Sequence, residues 1–491
     1  MNTYIGIDLG TSSVKLLLLS EEGRILSRAT AEYPIAYPKS GWSEQNPEDW
    51  YIGVVKGIKK LLLGQDKSLV KGISLGGQMH GLVILDKNDN VIRPCILWND
   101  GRTQKQTDYL NNVVGREKLS RYTANIAFAG FTAPKILWVR ENEPKNFAEI
   151  EKIMLPKDYI VYRLCGAFST DYSDASGMLL LDVENRRWSK EMCDICGVSA
   201  TQLPALHESY EAVETVKDDI AAEFGLPHGV VVCAGAGDNA AAAVGTGTVA
   251  PGNCNISLGT SGTIFIVGNG FSEDKNNALH SFCHANGGYH LMGCLLSAAS
   301  CNGWWSDSIL NSCDYAKEQE NLDSLMGKNK TFFLPYLMGE RSPHNDVNAR
   351  AAFIGMRPDT TRGEMTLAVL EGVAFALKDC AEVARSNGIE IKSTRICGGG
   401  ARSKLWRKII ANVLNIPVES PIIEEGPAYG AAMLAMVGAG EYESVQAVSD
   451  ALIKISETVL PKADIVKHYE KRYDTFKVLY PSLKAAFAKF D

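Results

Sequence analysis

Two short strings of this sequence are nearly the same. Ile7-Asp-Leu-Gly-Thr-Ser12 and Ile256-Ser-Leu-Gly-Thr-Ser261 differ only at their second position. Each sits between apolar runs, Tyr4–Leu9 and Val14–Leu19 in the first copy, Asn255–Leu258 and Thr263–Val267 in the second. Apolar run, small-residue turn and apolar run together predict a β-hairpin. Such a turn offers backbone N–H groups and hydroxyls that no large side chain blocks, which suits anionic oxygens. A single copy is equally an ordinary hairpin. Its recurrence half a chain later predicts two similar domains, each presenting a phosphate-gripping turn. Asp8 in the first copy faces Ser257 in the second, so a carboxylate able to support Mg²⁺ through water is expected on one side only.

A chain of 491 residues exceeds what one core can organise and should split into two or more domains. The formal net charge of -7 and the lack of a long basic run argue against a general nucleic-acid binder. A strand is predicted within a few residues of Met1, which leaves no room for a signal peptide, and no apolar run is long enough to span a membrane. The 12 cysteines are scattered through strand- and helix-like segments, which suits a reducing cytoplasm. Cys193-Asp-Ile-Cys196 stands without a second pair on a predicted helix and reads as structural.

Strand- and helix-like segments alternate, which predicts an α/β fold. Apolar spacing gives a helix over 48–63, a strand over 71–75, a helix from Leu155 and a strand over 229–234. Phe168–Gly177 reads as a polar loop. A boundary near Gly245-Thr-Gly247 divides the chain into domains 1–245 and 246–491. The second half adds strands at 288–292 and 394–397, helices at 297–305, 364–384, 405–414 and 427–435, and an amphipathic C-terminal helix. The segment 311–330 follows no pattern.

Gly235-Ala-Gly-Asp-Asn239 puts Asp238 after a strand and at the start of a helix, the edge where α/β sheets gather ligands. There it could accept a hydroxyl proton as general base or simply cap the helix. Asn239 follows it. Gly398-Gly-Gly-Ala-Arg-Ser403 joins a strand to a helix; it is either a surface for a flat base and ribose or a means of close packing. Gln78-Met79-His80 occupies a glycine-flanked strand end, where a histidine is a ligand contact or a satisfied structural residue. No metal-chelating His/Cys cluster and no G-x-x-x-x-G-K-[ST] loop occur, which disfavours a P-loop NTPase.

With those pieces in place, the chain resembles the FGGY carbohydrate kinases of the actin-like ATPase superfamily. Gly130-Phe-Thr-Ala-Pro-Lys-Ile-Leu-Trp-Val-Arg-Glu141 is similar to the family's first signature. Ala351-Ala-Phe-Ile-Gly-Met356 with Glu364-Met-Thr-Leu-Ala-Val-Leu-Glu371 is similar to its second. Trp42-Ser-Glu-Gln45, Gly77-Gln-Met-His-Gly81, Leu97-Trp-Asn-Asp-Gly-Arg102, Leu155-Pro-Lys-Asp-Tyr159 and Leu334-Pro-Tyr336 place it nearest the pentulose kinases. The resemblance implies two ribonuclease-H-like domains flanking a central cleft, with sugar held by the N-terminal domain and ATP mainly by the C-terminal one. It implies ATP-dependent phosphorylation of D-xylulose at O5, with Asp238 as base and Asp8 beside Mg²⁺. Sugar contacts fall on Met79, His80, Asp238 and Asn239; nucleotide contacts fall on Thr11, Thr260, Ala299, Gly303, Gly399 and Ser403. A homodimer is implied as well. The rival expectations are a kinase of another ketose or polyol, such as ribulose, and a non-catalytic ATP-dependent sugar sensor.

Overall fold

The computed structural model describes residues 1–490. They form two compact units. The first comprises Met1–Val249, Ser281–Tyr289 and Glu425–Ile453; the second comprises Ala250–His280, His290–Glu424 and the chain from Lys454.

In the first unit, β1 (Thr3–Leu9) and β2 (Ser13–Ser20) make the expected hairpin, paired in register from Thr3↔Ser20 to Leu9↔Val14. Ile5, Ile7 and Leu9 alternate into the core. Next come β3 (Ile25–Glu32) and helix α1 (Pro47–Leu61). Asn46 caps α1 by accepting from the Glu48 N–H, and Pro47 occupies the first turn, where its missing N–H costs nothing. Trp50, Val54, Ile58 and Leu61 recur at helical spacing and are fully buried. Each such side chain contributes roughly 1.5–3 kcal/mol by leaving water.

The sheet continues with β4 (Val70–Gly77) and, after helix α2 (Pro156–Cys165), with β5 (Ala212–Thr215), β6 (Val231–Cys233) and β7 (Ala236–Gly237). Strand order is β5-β6-β4-β1-β2-β3, with β7 also on β4. The β4 strand runs parallel to β1, β6 and β7. Helix α3 (Asp238–Gly245) starts directly from β7.

The helix Gly426–Gly438 lies late in the chain yet belongs to this first unit. It is buried from Ala428 through Met436 and so shows no polar face, as expected of a helix enclosed on all sides. Several of its contacts bring backbone against backbone. A Cβ on Gly6 of β1 would overlap the Ala428 carbonyl, and one on Gly430 would overlap the Ala241 carbonyl of α3.

In the second unit, β8 (Asn253–Leu258), β9 (Gly262–Val267) and β10 (Tyr289–Leu295) form an antiparallel meander. Helix α4 (Ala299–Gly303) follows β10. The long α5 (Arg362–Ser386) opens on a capping box between Thr361 and Glu364. Strand β11 (Ser393–Cys397), helix α6 (Lys404–Leu414), β12 (Val418–Pro421) and β13 (Ile455–Val459) complete the unit, before the C-terminal α7 (Ala463–Phe487). Apart from the strand His280–Cys283, which lies outside β10 in the seven-stranded sheet, the order β10-β9-β8-β11-β12-β13 repeats the first unit: a meander, two parallel strands and an antiparallel edge. Both units thus have the ribonuclease-H-like α/β architecture that the family resemblance implies, and the repeated hairpin marks their similarity. Buried Glu371 of α5 binds Tyr469 (2.9 Å) and Arg472 (2.8 Å) of α7, so the amphipathic C-terminal helix is locked by an ion pair as well as by its apolar face.

One expectation fails. Phe168–Gly177 is not a polar loop but a strand (Ser169–Asp171), a helical turn (Tyr172–Ala175) and a 3₁₀ turn (Ser176–Met178), nearly all buried. Its central carboxylate bonds within the protein: Asp171 accepts from the Ser173 and Ser209 hydroxyls and lies 3.0 Å from the Lys157 ammonium. Polar groups bonded in this way can be buried without the usual penalty.

Candidate functional site

The expected residues fall into two groups, one on each unit. On the first unit, Asp8, Thr11, Met79, His80, Asp238 and Asn239 lie where the parallel strands end. Leu9 of β1 pairs Gly77 of β4, and Gly77 pairs Gly237 of β7, so Asp8 and Asp238 flank one sheet edge. Both carboxylates keep an accessible edge, yet most of each is enclosed. Burial pushes Asp8 up to about 7, Asp238 adds to that by repulsion, and Lys15 opposes it. Burial also pushes Asp238 up to about 6, against hydrogen bonds from Asn239. The Asn239 N–H and side-chain amide donate to Asp238 Oδ1 at 2.7 and 2.9 Å. Asp238 is the first residue of α3 rather than its cap, which is Gly237.

The turn between β1 and β2 is braced from outside. Tyr33 donates to the Gly10 carbonyl (2.5 Å), Gln45 to the Thr11 carbonyl (2.7 Å) and the Trp98 indole to Thr11 Oγ1 (3.0 Å). Gln45 Oε1 accepts from Trp50 and Gln78. The turn's shape is therefore fixed by residues far from it in sequence.

The Met79–His80 strand end is held as tightly. His80 has a φ of 70°, a left-handed conformation uncommon for a non-glycine residue. Thr132 and Lys135 hold its carbonyl at 3.1 and 2.7 Å. Its Nδ1 bonds the Gly177 carbonyl at 2.8 Å; a carbonyl only accepts, so Nδ1 carries a proton. The ring stacks on Phe131 with centroids 4.6 Å apart. A Cβ on Gly237 would stand 3.1 Å from Met79, so that side chain packs on the residue preceding Asp238.

On the second unit, the turn between β8 and β9 carries Thr260. Its carbonyl accepts from Ala298 N (3.0 Å) and Ser300 Oγ (2.7 Å), and Gly259 O accepts from Ala299 N (2.8 Å), which docks the start of α4 on the turn. Beside it lies a cavity of about 440 Å³ lined by Ala299, Asn302, Tyr315, Gln319, Gly399, Ser403 and others. That volume suits a nucleoside-sized ligand. Ser403 Oγ caps α6 through Trp406 N (3.0 Å) and donates to Gln319 (2.5 Å), so its hydroxyl holds the wall together. Gly303 and Thr260 do not line the cavity itself. A larger cavity of about 640 Å³ beside Lys408 and Lys462 contains none of the expected residues.

Sequence reasoning gave no role to Gln45, Trp98, Lys135 and Lys157, although each sits in a quoted motif. It also missed Tyr315 and Gln319, which come from the segment 311–330 that showed no pattern. Cys193 and Cys196 lie buried on one helix with free thiols, consistent with a structural role.

Residues 3–245 match the N-terminal domain of the FGGY family of carbohydrate kinases, and residues 254–439 match its C-terminal domain. The chain is 40% identical to the xylulose kinase of Escherichia coli (strain K12), over 98% of this chain and 99% of that protein. It superposes on the crystal structure of a "xyloylose kinase" from Brucella ovis with a TM-score of 0.94 at 40% identity, covering 99% of this chain and 100% of that one. A gluconate kinase structure from Lactobacillus acidophilus reaches a TM-score of 0.95 at 24% identity, covering 100% of both chains; at that identity it attests the fold alone. Two ribonuclease-H-like units, two small-residue turns and two matched family domains together establish that the chain belongs to the FGGY family of carbohydrate kinases.

Proposed function

We propose that this protein is an ATP-dependent kinase that phosphorylates D-xylulose at O5, giving D-xylulose 5-phosphate and ADP. The observation that carries this reading is Asp238, an enclosed but accessible carboxylate raised to about 6, set beside Asp8 and behind Met79. The identity to xylulose kinases over nearly the whole chain supports the choice of sugar.

A sugar hydroxyl is a weak nucleophile. Asp238 accepts its proton as the oxygen attacks the γ-phosphorus, and a base of that pKa is ionised at neutral pH yet still basic. Phosphoryl transfer otherwise demands positioning and charge compensation. His80, its ring set by the Gly177 carbonyl and by Phe131, contacts the sugar, and Met79 packs against the sugar beside it. The turns at Thr11 and Thr260 supply N–H groups to phosphate oxygens, and the cavity lined by Ala299, Gly399 and Ser403 takes the adenosine.

Asp8 fits a divalent cation. Two neighbouring enclosed carboxylates repel, and Asp8 is raised in part for that reason, so a cation at its edge relieves the cost. Among the described residues no group of three or more His, Cys, Asp or Glu is arranged to hold a metal. Mg²⁺ would therefore take its other ligands from water and phosphate, as it usually does with nucleotides, and would neutralise charge on the transferring phosphoryl group. No helix among the described residues is long and apolar enough to cross a membrane. The reading includes a cytoplasmic enzyme, assembled as a homodimer and checked by light scattering.

The test is ADP release with D-xylulose, D-ribulose, L-ribulose, gluconate and glycerol as acceptors. D-Xylulose should give the highest kcat/KM by at least tenfold. A higher value for another acceptor overturns the assignment, and no ADP release with any acceptor favours the non-catalytic sensor reading.

A further inference from the structure

The loop that delivers Asp238, Ala234–Gly237, is suspended from a buried ionic cluster that the reaction as written does not use. Lys157, fully buried, places its ammonium 2.7 Å from Asp158, 3.0 Å from Asp171 and 3.8 Å from Asp174. It also donates to the Ala234 carbonyl at 3.1 Å. Burial alone would lower the Lys157 pKa, but the three carboxylates outweigh it and keep the group charged.

Asp171 is the anchor. Its Oδ2 accepts from Ser173 N (2.8 Å), Ser173 Oγ (2.5 Å) and Ser209 Oγ (2.7 Å). The Ser173 hydroxyl spends its proton on Asp171 and so must accept elsewhere; it accepts the Gly237 N–H at 3.1 Å. Ser209 in turn accepts the Gly235 N–H on its carbonyl at 3.0 Å. The loop is pinned at Ala234, Gly235 and Gly237, and the last pin is one residue from the base. Close approach is possible because Gly77 and Gly235 lack side chains, whose Cβ atoms would stand 2.6 and 3.0 Å from Lys157. The same segment reaches the sugar loop, since Gly177 accepts from His80.

We propose that Ser173, oriented by Asp171 and Lys157, is a positioning residue for phosphoryl transfer, fixing Asp238 through the Gly237 N–H relative to His80. The claim rests on Asp238 being the base. A hydroxyl whose proton is committed to a charged acceptor cannot rotate, so its lone pair toward Gly237 is preset. Removing it frees a buried N–H at the residue before Asp238 without touching sugar or ATP. Loss of alignment at a reacting group costs rate more than ground-state binding.

The experiment is Ser173→Ala in the full chain, read by steady-state kinetics, thermal denaturation and peptide hydrogen exchange. The expected result is a kcat lowered about tenfold or more, a KM for ATP within about twofold of the parent, and faster exchange confined to the peptide spanning 234–239. A kcat within about twofold of the parent with unchanged exchange overturns the proposal. So does a loss in which kcat, KM for ATP and exchange across the whole sheet change together, since that marks a merely structural hydroxyl. Should Ser173→Ala not fold, Asp171→Asn, which keeps the shape and removes the charge, is judged by the same criteria. If the parent phosphorylates no acceptor in the panel, the kinase reading fails, while the exchange measurement still reads the pinning.

Discussion

A carboxylate works as a base only while it is ionised, and the enclosure that makes Asp238 basic also makes its charge costly to the fold. With a pKa raised to about 6, the folded state holds its proton more tightly than the unfolded chain does. Stability from this residue is therefore fully present below the ordinary carboxylate range and is lost as pH rises through about 6. Asp8 extends the loss to about 7. Asp238→Asn should accordingly melt at a higher temperature than the parent at pH 8, by an amount equivalent to about 2–3 kcal/mol, with the difference vanishing near pH 4. The same substitution should lower kcat about a thousandfold while D-xylulose binding stays measurable by calorimetry. Unchanged turnover would remove Asp238 from its assigned role. In the parent, kcat/KM for the sugar should fall on the acid side of about pH 6 as the base takes up its proton.

At the scale of elements, position depends on glycines where two backbones meet. The helix Gly426–Gly438 touches α3 through Gly430, where an added methyl would overlap the Ala241 carbonyl. Gly430→Ala should cost roughly 1–3 kcal/mol in denaturant unfolding. Because α3 begins at Asp238, it should also lower kcat with little effect on the KM for ATP. These element-level features differ in how far the sequence reveals them. The two hairpins are legible because apolar alternation and a small-residue turn are local signals, and the strand–helix junction at Asp238 is legible for the same reason. The segment at 168–177 is not, since its run of serines, Thr170 and aspartates looks like a solvated loop until Lys157, on the preceding helix, is placed among the carboxylates. Gln45 and Trp98 likewise brace the Thr11 turn from distant strands and loops, and no spacing rule reaches that far. Tyr315 and Gln319 sit in short helical turns too brief to show a period.

Across the whole molecule, the chain leaves the first unit after Val249 and returns to it at Ser281–Tyr289 and Glu425–Ile453. A fragment ending at Val249 would contain every expected sugar-side residue but lack the helix Gly426–Gly438 that covers β1 and β4. It should be poorly packed, binding a hydrophobic dye and melting without cooperativity; a sharp transition would contradict this. The cavity proposed for the nucleotide, in contrast, is lined wholly by the second unit. A Cβ on Gly399 meets nothing within 4 Å. Gly399→Val should therefore leave the melting temperature and the calorimetric sugar affinity unchanged, while raising the KM for ATP about tenfold.

All 12 cysteines are free; Cys313 is exposed, Cys294 and Cys397 are half-buried, and the rest are buried. It stands two residues before Tyr315, which lines the cavity proposed for the nucleotide. A maleimide fluorophore would accordingly attach to the unaltered polypeptide most readily at Cys313, next to the cavity proposed for adenosine, giving an optical signal of nucleotide arrival without any engineered handle.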